Sequence, residues 1–270
     1  MNVHSVPGMP GVSAWKEILG IPVADIGLDP AIALLRGFVA QRRFTKVAFL
    51  NAHNANVASY DEEFAASLSD FLILADGVGV DIAAKVLYGE AFAANLNGTD
   101  LIPALLAAEP RPLTIGLLGA KRANAEAAAA RFTEFARQHR FVVIHDGYFS
   151  PEQEPLILDR VRHLHPDILL VAMGVPRQEL WIAKNITSAH CTMPMAVGAL
   201  LDFVSGAVPR APLWMRQMRL EWLFRLIVEP GRLWRRYVVG NPVFLARVAR
   251  QKIFGDSAAA EAGDEQPFRA

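Results

Sequence analysis

Six short apolar runs, most of them continuous, recur along the chain, and most are followed by a longer stretch with helical character. The runs are Val47–Asn51, Phe71–Ala75, Leu113–Leu118, Phe141–His145, Ile168–Met173 and Met193–Val197. Apolar character at nearly every position, rather than at alternate ones, marks strands covered on both faces, as in a parallel sheet. Helices are expected near Ala31–Gln41, Asn56–Ser69, Gly79–Leu87, Asp100–Ala108, Lys121–His139, Pro151–His163 and Arg177–Ser188. Strands alternating with helices of this length give an α/β fold: a Rossmann-like, mostly parallel sheet with helices on both faces. The sequence holds no internal repeat.

The pattern changes after Phe203. Residues 1–203 read as the α/β domain and 204–254 as a basic amphipathic appendage. Residues 255–270, rich in Ala, Gly and acids without periodicity, read as a disordered tail. The chain balances 27 Lys and Arg against 27 Asp and Glu, yet ten basic and only two acidic residues fall between Val204 and Lys252. That segment carries +8 and the remainder −8. Such asymmetry points to an anionic partner: nucleotide phosphate, nucleic acid or a membrane surface. Within Leu213–Trp234 the residues Met215, Met218, Trp222, Leu226 and Leu233 recur mostly three or four apart. Pro230-Gly231 is expected to break or bend this helix, and Pro242 to do so again. Trp214, Trp222, Phe224, Trp234, Tyr237 and Phe244 alternate with the arginines, either as a membrane-facing surface or as core residues packed on the sheet.

One cysteine, Cys191, allows neither an internal disulfide nor a cysteine metal cage, which suits a reducing, cytosolic setting. No apolar run reaches the ~18 residues needed to span a bilayer. The start, MNVHSVPGMPGV, lacks the basic and apolar regions of a signal peptide.

Ligands of a doubly wound sheet bind at the carboxyl ends of strands, beside helix N-termini. Small or polar residues stand at five such ends, around Asn51, Asp76-Gly77, Gly119, Gly174 and Gly198. Together they indicate a ligand-binding edge. Neither G-x-G-x-x-G nor G-x-x-x-x-G-K-[ST] occurs, which counts against dehydrogenases, kinases and ATPases. Asp76 follows an apolar strand and precedes two glycines that let a ligand approach the backbone. It is either a partly desolvated general base or the cap of the next helix. Gln178 and Glu179 open a helix beyond Gly174. The Gln178 amide suits a uracil or sugar edge, or simply solvates the first turn. Asn97-Gly98-Thr99-Asp100 joins a glycine turn to a helix cap. No two aspartates stand two apart, so the D-x-D metal motif is absent. No metal or other cofactor is expected.

Taken in order, these strings resemble the WecG/TagA/CpsF glycosyltransferase family. They are Leu-Asn-Ala at 50–52, Ala-Asp-Gly-Val-Gly-Val at 75–80, Asn-Gly-Thr-Asp at 97–100 and Leu-Leu-Gly-Ala at 117–120. His-Asp-Gly-Tyr-Phe at 145–149, Met-Gly-Val-Pro-Arg-Gln-Glu-Leu-Trp-Ile at 173–182 and Val-Gly-Ala-Leu-Leu-Asp-Phe at 197–203 follow. Pro-Arg-Ala-Pro at 209–212 and Leu-Glu-Trp-Leu-Phe-Arg-Leu-Ile-Val-Glu-Pro at 220–230, then Arg232 and Arg235-Arg236, complete the set. The resemblance implies metal-independent, inverting transfer from a UDP-sugar to a polyprenyl-diphosphate-linked saccharide at the inner face of the cytoplasmic membrane.

It also makes Asp76 the general base, puts Gln178 in the active site and implies that the basic segment closes over the nucleotide and sits on the membrane. Asn51, Gly77, Gly98, Asp100, Gly119, Gly174, Glu179, Gly198, Asp202, Arg210, Arg225 and Arg232 complete the expected substrate and nucleotide contacts. Nucleic acid is not an expected partner, whereas a homo-oligomer is. Phe49 stands where many relatives carry Thr, Gly198-Ala199 replaces a doubled glycine, and Asp146 departs from His-Gly-Tyr-Phe. The rival readings are a nucleotide-dependent oxidoreductase and a non-catalytic membrane-surface protein.

Overall fold

Two strands outside the expected set open the fold in the computed structural model, which describes residues 11–263, with side chains described to Gly255. β1 (Trp15–Ile18) and β2 (Ile21–Ala24) pair antiparallel about Leu19-Gly20, whose φ values are 51° and 80°. Positive φ at both central residues is the hairpin turn whose twist suits its strands. The strands are too short for clear periodicity, and no Asn-Gly or Asp-Gly pair advertises the turn.

The expected strands follow as β3 (Lys46–Leu50), β4 (Phe71–Ala75), β5 (Thr114–Gly119), β6 (Arg140–His145), β7 (Ile168–Ala172) and β8 (Met193–Ala196). They form one sheet in the order β1-β2-β4-β3-β8-β7-β5-β6, parallel throughout except for β1. The helices of the body are α1 (Leu28–Ala40), α2 (Ala52–Ala58), α3 (Glu62–Leu68), α4 (Val78–Tyr88), α5 (Gly98–Ala108), α6 (Arg122–Phe135), α7 (Glu154–Leu164), α8 (Arg177–Asn185) and α9 (Leu200–Ser205). One face of the sheet is covered by α2, α3, α4, α7 and α8 through Phe64, Val80, Val161 and Ile182. The other is covered by α1, α5, α6 and α9 through Leu35, Leu105, Phe132 and Leu201. The single helix expected over Asn56–Ser69 is two, because Asp61 accepts a hydrogen bond from the Phe64 amide at 2.9 Å and starts α3 afresh.

The C-terminal segment runs through α10 (Leu213–Gln217), α11 (Glu221–Val228), α12 (Pro230–Trp234), a π-helical turn at Arg235–Val239 and α13 (Gly240–Gly263). The break expected at Pro230 occurs, with Pro230 in the first turn of α12. Pro242 does not break the chain's course. It lies in the first turn of α13, where a missing N–H costs least, directly after the π-helical turn. Phe244 and Val248 of α13 are fully buried, and α13 packs on α2 and α4. Arg247 Nη1 donates to Asn56 Oδ1 at 2.6 Å, and Asn56 Nδ2 donates to the Gly240 carbonyl at 2.7 Å. This stretch of the basic segment therefore packs against the helices of the α/β body. α13 extends to Gly263, into the segment read as a disordered tail, and residues 264–270 lie outside the described residues.

Candidate active site

The register of β3 on β4 sets the site. Leu50 pairs with Ala75, so the next residues, Asn51 and Asp76, leave adjacent strands side by side at the carboxyl edge. Asn51 Oδ1 caps α2 by accepting from the amides of His53 and Asn54 at 3.0 and 3.1 Å. Its Nδ2 is thereby turned to donate to Asp76 Oδ2 at 3.1 Å. Asp76 is not a cap: the N-cap of α4 is Gly77, at φ 91°, with no side-chain cap bond. That backbone is open to glycine at little cost, and the Gly77 amide donates to Asn95 Oδ1 at 2.8 Å. Desolvation pushes the Asp76 carboxyl above the usual carboxylate range, against the Asn51 bond and the charges of Arg236 and Arg225. Asp100 adds a smaller upward push. A half-buried carboxylate made more basic in this way is suited to accept a proton.

A cavity of about 540 Å³ opens above this pair, at the carboxyl ends of β3, β4, β7 and β8. β3 is where the chain order turns, leading to β4 on one side and receiving β8 on the other, the usual ligand position in such sheets. The C-terminal segment roofs it with Arg216, Arg219, Glu221, Trp222, Arg225, Arg232, Arg236 and Tyr237. Arg236 stands in the π-helical turn, a distortion common at functional sites. Its Nη2 donates to Asn51 Oδ1 at 3.4 Å, while its buried Nε has no partner. Desolvation holds its pKa below the usual arginine value, with the charges of Arg225 and Arg232 acting in the same direction and Asp76 against it. A guanidinium kept partly dry and incompletely paired is a receptor for an anion. Burial, with Arg236, holds His53 down to about 4, so this cavity-lining imidazole is neutral at pH 7.

The roof is fastened by ion pairs to the body. Arg219 pairs with the buried Asp81 of α4, and Arg210 and Arg216 with Asp100 at the start of α5. Arg210 also reaches Glu221 at 3.8 Å. Asn97 caps α5, accepting from the Asp100 amide at 3.0 Å and donating to its carboxylate at 2.9 Å.

Of the expected contacts, Asn51, Asp76, Gly77, Gly98, Gly174, Gln178, Gly198, Asp202, Arg225 and Arg232 line the cavity. Asp100, Gly119, Glu179 and Arg210 do not. Asp100 and Arg210 are fasteners of the roof. A Cβ on Gly119 would lie 2.3 Å from the Ala172 carbonyl oxygen, so this glycine serves the close approach of β5 to β7. Gln178 is 2% exposed and Glu179 1%, and they bond to each other rather than solvating a helix turn. Asp202 accepts from Asn124 Nδ2 at 2.7 Å. Arg216, Arg219 and Arg236 fall within the arginine-rich 210–236 segment without being singled out as contacts, and Asn95, Tyr148, Arg177, Trp222 and Tyr237 are among the lining residues that sequence reasoning did not place at the site. Arg232 and Arg236, four apart, would have placed Arg236 on the cavity face.

Burial pushes the Glu179 carboxyl up to about 7. The folded chain thus holds this proton more tightly than the unfolded chain. The resulting stability is present below about pH 4.5 and is lost as the pH rises to about 7. Glu179→Gln removes the titration, at up to ~3 kcal/mol in favour of the variant above neutrality. Its melting temperature should exceed the wild type's by several degrees at pH 8, and the gap should shrink at pH 5. The same difference at both pH values would contradict this.

Among the described residues, no group of three or more His, Cys, Asp or Glu side chains is placed to hold a metal ion. Fold and site define a Rossmann-like α/β protein whose cavity gathers arginines beside a carboxyl of raised pKa. The chain belongs to the Glycosyl transferase WecG/TagA/CpsF family, whose profile matches residues 16–258. It is a glycosyltransferase. Relatives from Staphylococcus aureus strains NCTC 8325 / PS 47 and COL are 29% identical over 249 residues, covering 89% of this chain and 94% of theirs. The relative from strain MRSA252 is 28% identical over the same length. All three are named N-acetylglucosaminyldiphosphoundecaprenol N-acetyl-beta-D-mannosaminyltransferase. The oxidoreductase and non-catalytic readings fall with this membership.

Proposed function

We propose that this chain moves a sugar from a UDP-sugar to a lipid-diphosphate-linked saccharide, inverting the anomeric centre without a metal ion. The observation that carries the reading is Asp76, braced by Asn51 and facing the cluster of Arg225, Arg232 and Arg236 across one cavity. Asp76 takes the proton of the acceptor hydroxyl as its oxygen attacks the anomeric carbon. The bond from that carbon to the UDP oxygen breaks, and the electron pair leaves with UDP. Arginine forks offset the charge that builds on the diphosphate, in the place a divalent cation takes elsewhere. The relatives' name supports an undecaprenyl-diphosphate-linked N-acetylglucosamine acceptor.

The test is a panel of UDP-sugars with that lipid-linked acceptor and excess chelator. One donor should release UDP only when acceptor is present, at a rate the chelator leaves unchanged. Loss of turnover on chelation, restored by Mg²⁺ or Mn²⁺, contradicts the arginine role.

A peripheral position on the inner face of the cytoplasmic membrane completes the reading. No helix among the described residues is long and apolar enough to cross a membrane. Trp214 is 57% and Trp234 45% exposed, beside exposed Leu213, Met218, Ile227 and Val238, whereas Phe244 is core. Exposed aromatics among arginines suit the headgroup boundary of anionic lipid. The protein should sediment with anionic vesicles and less with neutral ones, and salt should weaken the binding without abolishing it. Protein left in the supernatant at low salt sinks the membrane role.

A further inference from the structure

The turns that end β7 and β8 both donate to one side chain. The Gly174 amide lies 3.2 Å from Gln178 Oε1, and the Gly198 amide 3.0 Å from the same oxygen. Both glycines line the cavity, and both have positive φ, 80° and 56°. The Gln178 Nε2 donates to Glu179 Oε1 at 2.8 Å. With Oε1 committed to two backbone donors and one Nε2 hydrogen to Glu179, one N–H of Gln178 is left for a ligand. A carboxamide has two faces of nearly equal shape. Flipped, Gln178 would turn its NH₂ towards two N–H groups and leave both amides without an acceptor. The two backbone donors oppose the flip, and Glu179, accepting from Nε2 on the far side, adds to the same preference. Glu179 bonds no side chain but Gln178, and its Oε2 is buried without a partner. A carboxyl kept in the core at that cost has one visible task.

We propose that Glu179 is a positioning residue for glycosyl transfer. By accepting from Gln178 Nε2 it locks the amide in the orientation that ties the Gly174 and Gly198 turns together at the cavity wall. The proposal rests on the reading of this cavity as the glycosyl-transfer site.

Two substitutions in the full-length chain separate this task from simple core filling. Glu179→Leu fills the space and removes the buried carboxyl, but accepts no hydrogen bond. Glu179→Gln keeps an accepting oxygen. With UDP-N-acetylmannosamine and undecaprenyl-diphosphate-linked N-acetylglucosamine, the Leu variant should fold and melt no lower than wild type. Its kcat/KM should nevertheless fall ~10–10²-fold, the scale of a misplaced wall. The Gln variant should lose no more than about threefold, since its amide oxygen still orients Gln178. A core-filling residue gives the opposite order.

Hydrogen exchange at the Gly174 and Gly198 amides reads the bracket without any turnover. Both should be protected in wild type and in the Gln variant, and should exchange faster in the Leu variant. If Glu179→Leu does not fold, Glu179→Ala answers the same question. Wild-type kcat/KM with the Leu or Ala variant, or unchanged protection of both glycines in it, overturns the proposal. So does a loss in the Gln variant equal to that in the Leu variant. A wild type that turns over no UDP-sugar overturns the glycosyl-transfer reading instead, and the exchange data then still decide the bracket.

Discussion

Replacing Asp76 by Asn should lower turnover ~10²–10⁴-fold, the usual contribution of a general base, while UDP affinity stays close to that of the wild type. The substitution preserves the shape of the side chain and leaves an oxygen to accept from Asn51 Nδ2, now 3.1 Å away. What it removes is a proton acceptor whose charged form the fold disfavours through desolvation. The variant should accordingly melt at or above the wild-type temperature, so that its inactivity is not a folding defect. Steady-state kinetics with UDP binding measured separately checks both halves. Near-normal turnover from Asp76→Asn ends the assignment of Asp76 as the base.

Arg236→Met should lower kcat by ~10²–10³-fold, the scale of removing one preorganised donor from a developing anion. Methionine keeps an unbranched apolar stem and loses the guanidinium, whose Nε is buried and unpartnered in the protein alone. On the proposed reading UDP should also bind more weakly, because a guanidinium that offsets the diphosphate charge acts before and after transfer as well as during it. Arg236→Lys should recover only part of the loss, since an ammonium cannot present two parallel donors. Wild-type kcat in the Met variant would assign leaving-group stabilisation to Arg225 and Arg232 alone.

The sheet was largely legible because parallel strands buried on both faces are apolar at nearly every position. β4, Phe71–Ala75, reads so directly that its ends in the sequence and in the fold coincide. The β1–β2 hairpin was not legible, since four-residue strands offer no period to detect. Asn51 and Asp76 were visible as strand-end residues. Their contact was not, because it depends on the Leu50–Ala75 register. The roof was harder still. Counting charges found a basic segment, but the π-helical turn at Arg235–Val239 decides which arginines face inward. Arg232 and Arg236 line the cavity there, while Arg235 lies over the Trp234 ring on the exposed side. Gln178 and Glu179 illustrate a different limit. In the sequence they stand out as polar groups at a strand end, but their hydrogen-bond partners are two backbone amides from separate loops and each other. No local pattern encodes those partners.

In the mechanism we propose, the acceptor oxygen displaces UDP directly, with Asp76 as base and no covalent glycosyl-enzyme. The anomeric configuration of the product tests it most directly, read by NMR coupling constants on the glycan released after transfer from an α-linked UDP-sugar. Direct displacement gives a β-linked product. An α-linked product means two displacements or a front-face mechanism, and contradicts the account.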